Sequence, residues 1–236
     1  MILKFYAWFM MNIISPFSWG KIKKFILRRK FEGNLQTVDH MRIKEVLSGG
    51  HYIILIRRST HFTTFLIGLG HYLLGIKAYL RHPIKAKWPN FGFWSHALIN
   101  IEDTTTPLDD SDFMLVEAVG RGVKVSGFLE VFDCDAVKIL APMSNVTGEI
   151  RPWQIITERV FADIGKPYDL KFNLKDDKAM SCVEFVYDTL KNDSLYCYDF
   201  KNLTDMIELY GNLDPDMFDQ ANCFKIATKR VKTVNF

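Results

Sequence analysis

The chain has 236 residues, 48% apolar and 24% charged; this balance excludes a disordered chain, and the length allows a full core. Its four cysteines (Cys134, Cys182, Cys197, Cys223) form no CxxC pair and no metal-ligand spacing, which argues against a zinc site or disulfide scaffold and for a reducing compartment. The net charge of +3 conceals an asymmetry: residues 1–31 hold seven basic side chains and no acid, while the other 23 basic residues face all 27 acidic ones.

In chain order, residues 1–14 are an apolar run broken by Lys4. The run is shorter than the ~20 residues of a transmembrane helix and lacks the small-residue cleavage site of a signal peptide. Residues 17–31 place Ile22, Phe25 and Ile26 on one helical stripe among lysines and arginines. Such a helix can lie on an anionic membrane surface or dock on its own domain with a solvated basic face; nucleic acid is the weaker partner. We therefore divide the chain into an N-terminal extension, 1–33, and one domain, 34–236, with an apolar insertion at about 61–93. That placement expects a cytoplasmic, membrane-associated or virion-associated protein.

The spacing of Val38, Met41, Val46 and Leu47 predicts a helix ended by Gly49-Gly50, and HYIILIRR (51–58) a strand with an apolar centre. Residues 62–80 read as a buried helix or a loop and helix rather than a membrane span, because Gly68, Gly70 and Gly75 punctuate them. His61, His71 and His82 in this insertion have no ligand-like spacing. WSHALINI (94–101), FMLVEAV (113–119), VKVSGFLEVF (123–132) and AVKILAP (136–142) read as strands, with a polar loop at 102–112 and a turn at Gly120-Arg121-Gly122. Helices are expected over 153–164 and 201–210, an extended stretch over 165–174, and a last basic strand in FKIATKRVKTV. Asp214-Pro215-Asp216 with Asp219 lacks the glycine and glutamate of a calcium loop and reads as a turn and helix start.

The stretch MSCVEFVYDTL (180–190) is a helix that opens on a cysteine. Ser181 as N-cap and Glu184 three places on make a capping box, with Met180 and Phe185 at hydrophobic-staple spacing. Cys182 then occupies the first helical position, where unpaired N–H groups and the helix dipole favour a thiolate; a buried structural cysteine is the bland alternative. Glu184 and Asp188, four apart, read as a solvated face. If the 102–112 loop is symmetric about residues 106–107, His96 lies directly opposite Glu117 on the neighbouring strand, Cβ atoms ~5 Å apart. A carboxylate beside an imidazole orients it, which supplies a base for the thiol, and the Cys182 N–H is a natural oxyanion donor. A one-residue slip would put Glu117 on the wrong face.

Three motifs in order, WSHALINI, LVEAVGRGVKV and GKPYDLKFNLKDDKAMSCVEFVYDTL, resemble the circularly permuted branch of the NlpC-type, papain-like cysteine hydrolases, the YiiX/YebB-like group. VLSGGHYIILIRR resembles the opening strand of that group, with His51 where an aspartate is usual, and Val183 stands where serine is common. The resemblance covers roughly residues 38–192. It implies an α+β permuted papain-like fold with an antiparallel, partly barrel-like sheet and the cysteine at a helix N-terminus. It further implies a Cys182 nucleophile, a His96 base, a Glu117 orienter and a supporting or substrate-binding Tyr168, acting through an acyl-enzyme without metal or organic cofactor. The substrate expected is a peptide amide, cell-wall peptide included; a lipid acyl group is the alternative, and a non-catalytic binding or envelope component the third reading.

Overall fold

The computed structural model describes residues 37–48, 52–58, 73, 76–82, 94–102, 113–134, 136–142, 156–169, 178–191, 201–227 and 231–232. The N-terminal extension, most of the 61–93 insertion, His61, His71, the 103–112 loop and Cys197 lie outside the described residues. Within the insertion, residues 76–81 are helical, with Ala78 buried and Leu80 exposed.

The elements are α1 (Thr37–Leu47), β1 (Tyr52–Arg57), β2 (His96–Glu102), β3 (Phe113–Val119), β4 (Gly122–Ser126), α2 (Phe128–Phe132), β5 (Ala136–Pro142), α3 (Ile156–Asp163), α4 (Cys182–Lys191), α5 (Lys201–Tyr210), α6 (Pro215–Gln220), β6 (Phe224–Ile226) and β7 (Val231–Lys232). The strands form one antiparallel sheet in the order β4-β3-β2-β1-β5-β6, with β7 also paired to β5. Among the described residues no pairing joins β4 to β6, so the sheet is open where a partly barrel-like one was expected. Two further expectations change. VKVSGFLEVF is not one strand: β4 stops at Ser126, Gly127 leaves the sheet, and Phe128, Val131 and Phe132 recur at helical spacing to form α2. The last basic strand is two short ones, β6 and β7.

β1 is central because its apolar run has no polar face. Ile53 and Leu55 enter one core, Ile54 and Ile56 the other, all fully buried. The first core lies between the sheet and Val160 of α3, Phe185, Val186 and Leu190 of α4, Leu203 of α5, and Met217 and Phe218 of α6. The second lies under Ile43 and Leu47 of α1 and Val131 and Phe132 of α2. Each fully buried Leu, Ile or Phe side chain contributes roughly 1.5–3 kcal/mol, so these two layers hold the sheet from both sides. Buried Asn100 ties α1 to the sheet: its Oδ1 accepts from Tyr52 N at 2.6 Å and its Nδ2 donates to the Leu47 carbonyl at 3.1 Å.

α4 packs on the first face, against β2 and β3. β2 and β3 pair from Ile99↔Val116 to Glu102↔Phe113; His96 and Glu117 lie just past the end of that ladder. The first turn of α4 is brought to this place.

Candidate active site

Ser181 and Glu184 cap α4 reciprocally. The Ser181 N–H donates to Glu184 Oε2 at 2.7 Å, and the Glu184 N–H donates to Ser181 Oγ at 3.4 Å. Met180 and Phe185 are both buried, as the staple requires, and Cys182 is the first residue of the helix. Glu184 is not on a solvated face: it is 5% exposed, and its buried Oε1 has no hydrogen-bond partner among the described residues. Burial, followed by the nearby Asp169 and Asp188 charges, raises its pKa against the Ser181 hydrogen bonds. Asp188 does reach the surface, paired to Lys191 at 2.5 Å.

The β2–β3 register differs from a loop symmetric about 106–107. Extending the observed pairing puts Glu117 opposite Leu98, and His96 becomes its diagonal neighbour. The offset is two residues, an even number, so both side chains keep the same face. His96 Nε2 and Glu117 Oε2 are 2.7 Å apart. With that nitrogen engaged, Nδ1 is left for the Cys182 thiol, which hydrogen-bonds the ring. The structure thus brings Cys182, His96 and Glu117 together from a helix start and two strands, all largely buried.

Several groups that the sequence reading passed over complete the site. Ser126 Oγ donates to Glu117 Oε1 at 2.6 Å, Lys124 Nζ stands 3.9 Å from the same oxygen, and the Arg58 guanidinium adds positive charge. Lys124 was open to discovery: the tight Gly120-Arg121 turn pairs Val119 with Gly122 and therefore Glu117 with Lys124. Ser126 is two residues along on the same face. Arg58 gave no local signal, because its guanidinium is held by the Glu130 and Val131 carbonyls, more than 70 residues away in the chain.

The electrostatics follow. Burial raises the carboxyl pKa of Glu117, but the His96 hydrogen bond and charge, Ser126 and Arg58 outweigh it and hold the group at about 2. Burial likewise disfavours charge on His96, yet the Cys182 sulfur and Glu117 raise its pKa to about 9. The Cys182 thiol is lowered despite burial, first by the His96 charge, then by its hydrogen bond and the Ala97 and Val183 N–H groups. A thiolate beside an imidazolium is the state these shifts favour, and such a pair can attack a carbonyl and then protonate a leaving group.

Tyr168 comes from the extended stretch before α4. Lys166 O accepts from Val123 N at 2.9 Å, Gly165 N donates to Val123 O at 2.9 Å, and Met180 N donates to Pro167 O at 2.9 Å. Gly122 makes this possible: its φ is +105°, and a Cβ there would clash with the Lys166 carbonyl. The Tyr168 hydroxyl hydrogen-bonds the Cys182 thiol and accepts from the Cys182 N–H, so the expected oxyanion donor already has a partner. Burial, then the sulfur, drive the Tyr168 pKa well above its usual value and keep the phenol neutral.

Among the described residues no group of three or more His, Cys, Asp or Glu is placed to hold a metal ion, and no helix is long and apolar enough to cross a membrane. The family model described as permuted papain-like amidase enzyme, YaeF/YiiX, C92 family, matches residues 76–209. No curated protein and no solved structure matches the chain.

Proposed function

This chain belongs to the family of permuted papain-like amidases, which are cysteine hydrolases, and we propose from that premise that Cys182, His96 and Glu117 are its catalytic triad, with a peptide amide as substrate. The observation that carries the assignment is the continuous contact from the Cys182 thiol through the His96 ring to Glu117, with 2.7 Å between ring and carboxylate. The Cys182 thiolate attacks the carbonyl carbon, and the negative charge moves to the carbonyl oxygen. His96 gives its proton to the departing amine as the C–N bond breaks, leaving a thioester on Cys182. The neutral ring then takes a proton from water, whose oxygen displaces the sulfur and releases the acid. Glu117 keeps the ring aligned and its positive form favoured. Tyr168 supports the first step: the incoming carbonyl oxygen competes for the Cys182 N–H, and the neutral phenol can turn its proton towards that oxygen.

Cell-wall peptides are the first substrates to offer, since the family is one of amidases. The test is hydrolysis of peptidoglycan-derived peptides by the wild type and by Cys182→Ala; lipid esters run alongside measure the lipid-acyl alternative. Iodoacetamide separates the enzyme from a non-catalytic binding module. Cys182 should alkylate near neutral pH much faster than the other cysteines, and His96→Ala should slow it. Equal reactivity at all four cysteines would sink the catalytic assignment.

A second reading concerns location. The seven basic side chains and absent acids of residues 1–31 favour contact with an anionic membrane surface. Binding to phosphatidylserine vesicles should be salt-sensitive and lost on deleting those residues; binding that survives the deletion ends the idea.

A further inference from the structure

β2 arrives at His96 through two residues that are fixed from outside the triad. The Trp94 N–H points between the carboxylate oxygens of Asp216, 3.3 Å from each, and Trp94 Nε1 donates to Asp219 Oδ2 at 2.8 Å. The other Asp219 oxygen is ion-paired with Lys138 of β5. The Ser95 N–H and Oγ both donate to the Ile56 carbonyl, at 3.0 and 3.1 Å, and Ser95 Oγ accepts from Arg58 N at 3.0 Å. Trp94 is 1% and Asp216 3% exposed. Asp216 and Asp219 lie three residues apart on α6, so both reach the same tryptophan. Asp214 caps that helix, accepting from Asp216 N at 2.7 Å.

α6 has apolar reason enough to dock, since Met217 and Phe218 are buried in the first core. Apolar burial is non-directional, however, and leaves small rotations of a strand end open, whereas hydrogen bonds fix direction. Burying carboxylates is also costly unless they are paired. A two-point hold on one residue, by backbone N–H and by ring N–H, is what would set the position of the His96 Cα two residues later. We propose that α6 is a positioning device for His96, with Asp216, Asp219 and Trp94 as its positioning residues. α6 lies outside residues 76–209, so this chain steadies the family's histidine with a segment that the family match does not cover. The inference rests on His96 being the general base.

The test is the pH profile of Cys182 alkylation, with thermal unfolding measured in parallel. Trp94→Phe keeps an aromatic side chain and the Lys138–Asp219 pair but removes the Nε1 donor; Asp219→Ala removes the acceptor. Each should slow alkylation at pH 6–7 by about tenfold and move the acid limb towards the ordinary thiol range, because displacement of a reacting group by ~1 Å can cost up to ~100-fold. The double variant should be no slower than the slower single, since both remove one hydrogen bond. Asp219→Glu, which keeps an acceptor, should recover part of the rate if Asp219→Ala folds poorly. Lys138→Met should lower the unfolding temperature and leave the profile in place. If Trp94→Phe and Asp219→Ala behave like Lys138→Met while His96→Ala does slow alkylation, α6 is merely structural and the positioning proposal is overturned alone. If His96→Ala leaves alkylation unchanged, the general-base assignment falls and takes the proposal with it.

Discussion

At the scale of single residues, the charge state of the site is decided by neighbours rather than by burial, which alone would neutralise every member. Glu117 is held at about 2, below its usual 4.5, so its contribution to stability is present above 4.5 and is lost as the pH falls through about 2. His96 is raised from 6.5 to about 9, so its contribution is complete below 6.5 and is lost as the pH rises through about 9. The pair therefore stabilises the fold most between about 4.5 and 6.5. Glu117→Gln removes the charge but keeps the shape. We expect the alkaline limb of the activity profile to shift from about 9 towards 6.5, with a smaller wild-type advantage in unfolding temperature above that limb. An alkaline limb that does not move would show that Glu117 does not sustain the imidazolium. His96 and Glu117 were legible as a pair because the side-chain period of a strand is two. Their diagonal placement was not, because it depends on how the 103–112 loop divides between the strands.

At the scale of elements, the opening of α4 was the most readable part of the chain. Capping box and staple are local rules over six residues, and the structure has both. Ser181→Ala should cost about 1 kcal/mol, or roughly 2–4 °C in unfolding temperature for a chain of this size, with Glu184 Oε2 still accepting from the residue-181 N–H. No loss in urea or thermal unfolding would mean that the box adds nothing to the buried packing of Val183, Phe185 and Val186. Gly122 was read only as part of a turn, and its second task is tertiary. Gly122→Ala forces an L side chain into positive φ and against the Lys166 carbonyl, in the segment that carries Tyr168. It should lower activity and stability together, whereas Gly120→Ala, with open space at its Cβ, should leave both near the wild type. Equal behaviour of the two variants would contradict the close approach of 166–168 to β4. The burial of Glu184 was missed for a related reason. The i, i+4 spacing of Glu184 and Asp188 resembles an exposed face, but the cap turns the glutamate back into the protein.

At the scale of the whole molecule, the sheet joins segments far apart in the chain: β1 sits between β2 and β5, and β5 pairs with β6 and β7. The C-terminal segment is part of the core, with Leu213, Met217, Phe218 and Cys223 all buried. Deleting residues 210–236 should therefore abolish cooperative unfolding by circular dichroism. Each lost apolar side chain is worth roughly 1.5–3 kcal/mol, against a total stability of about 5–15 kcal/mol. A truncated chain that still melts cooperatively would show that the family-matched region folds without α6. Periodicity, capping and motif order are local or nearly local properties, and they made β1, β2, β3 and β5, the helix that opens on Cys182, and the order of histidine, glutamate and cysteine legible in the chain. The two-residue register offset, the open edge of the sheet, and the partners Arg58, Asp216 and Asp219 are tertiary properties. Those depend on which distant segments share a face, and that is set by packing the whole chain at once.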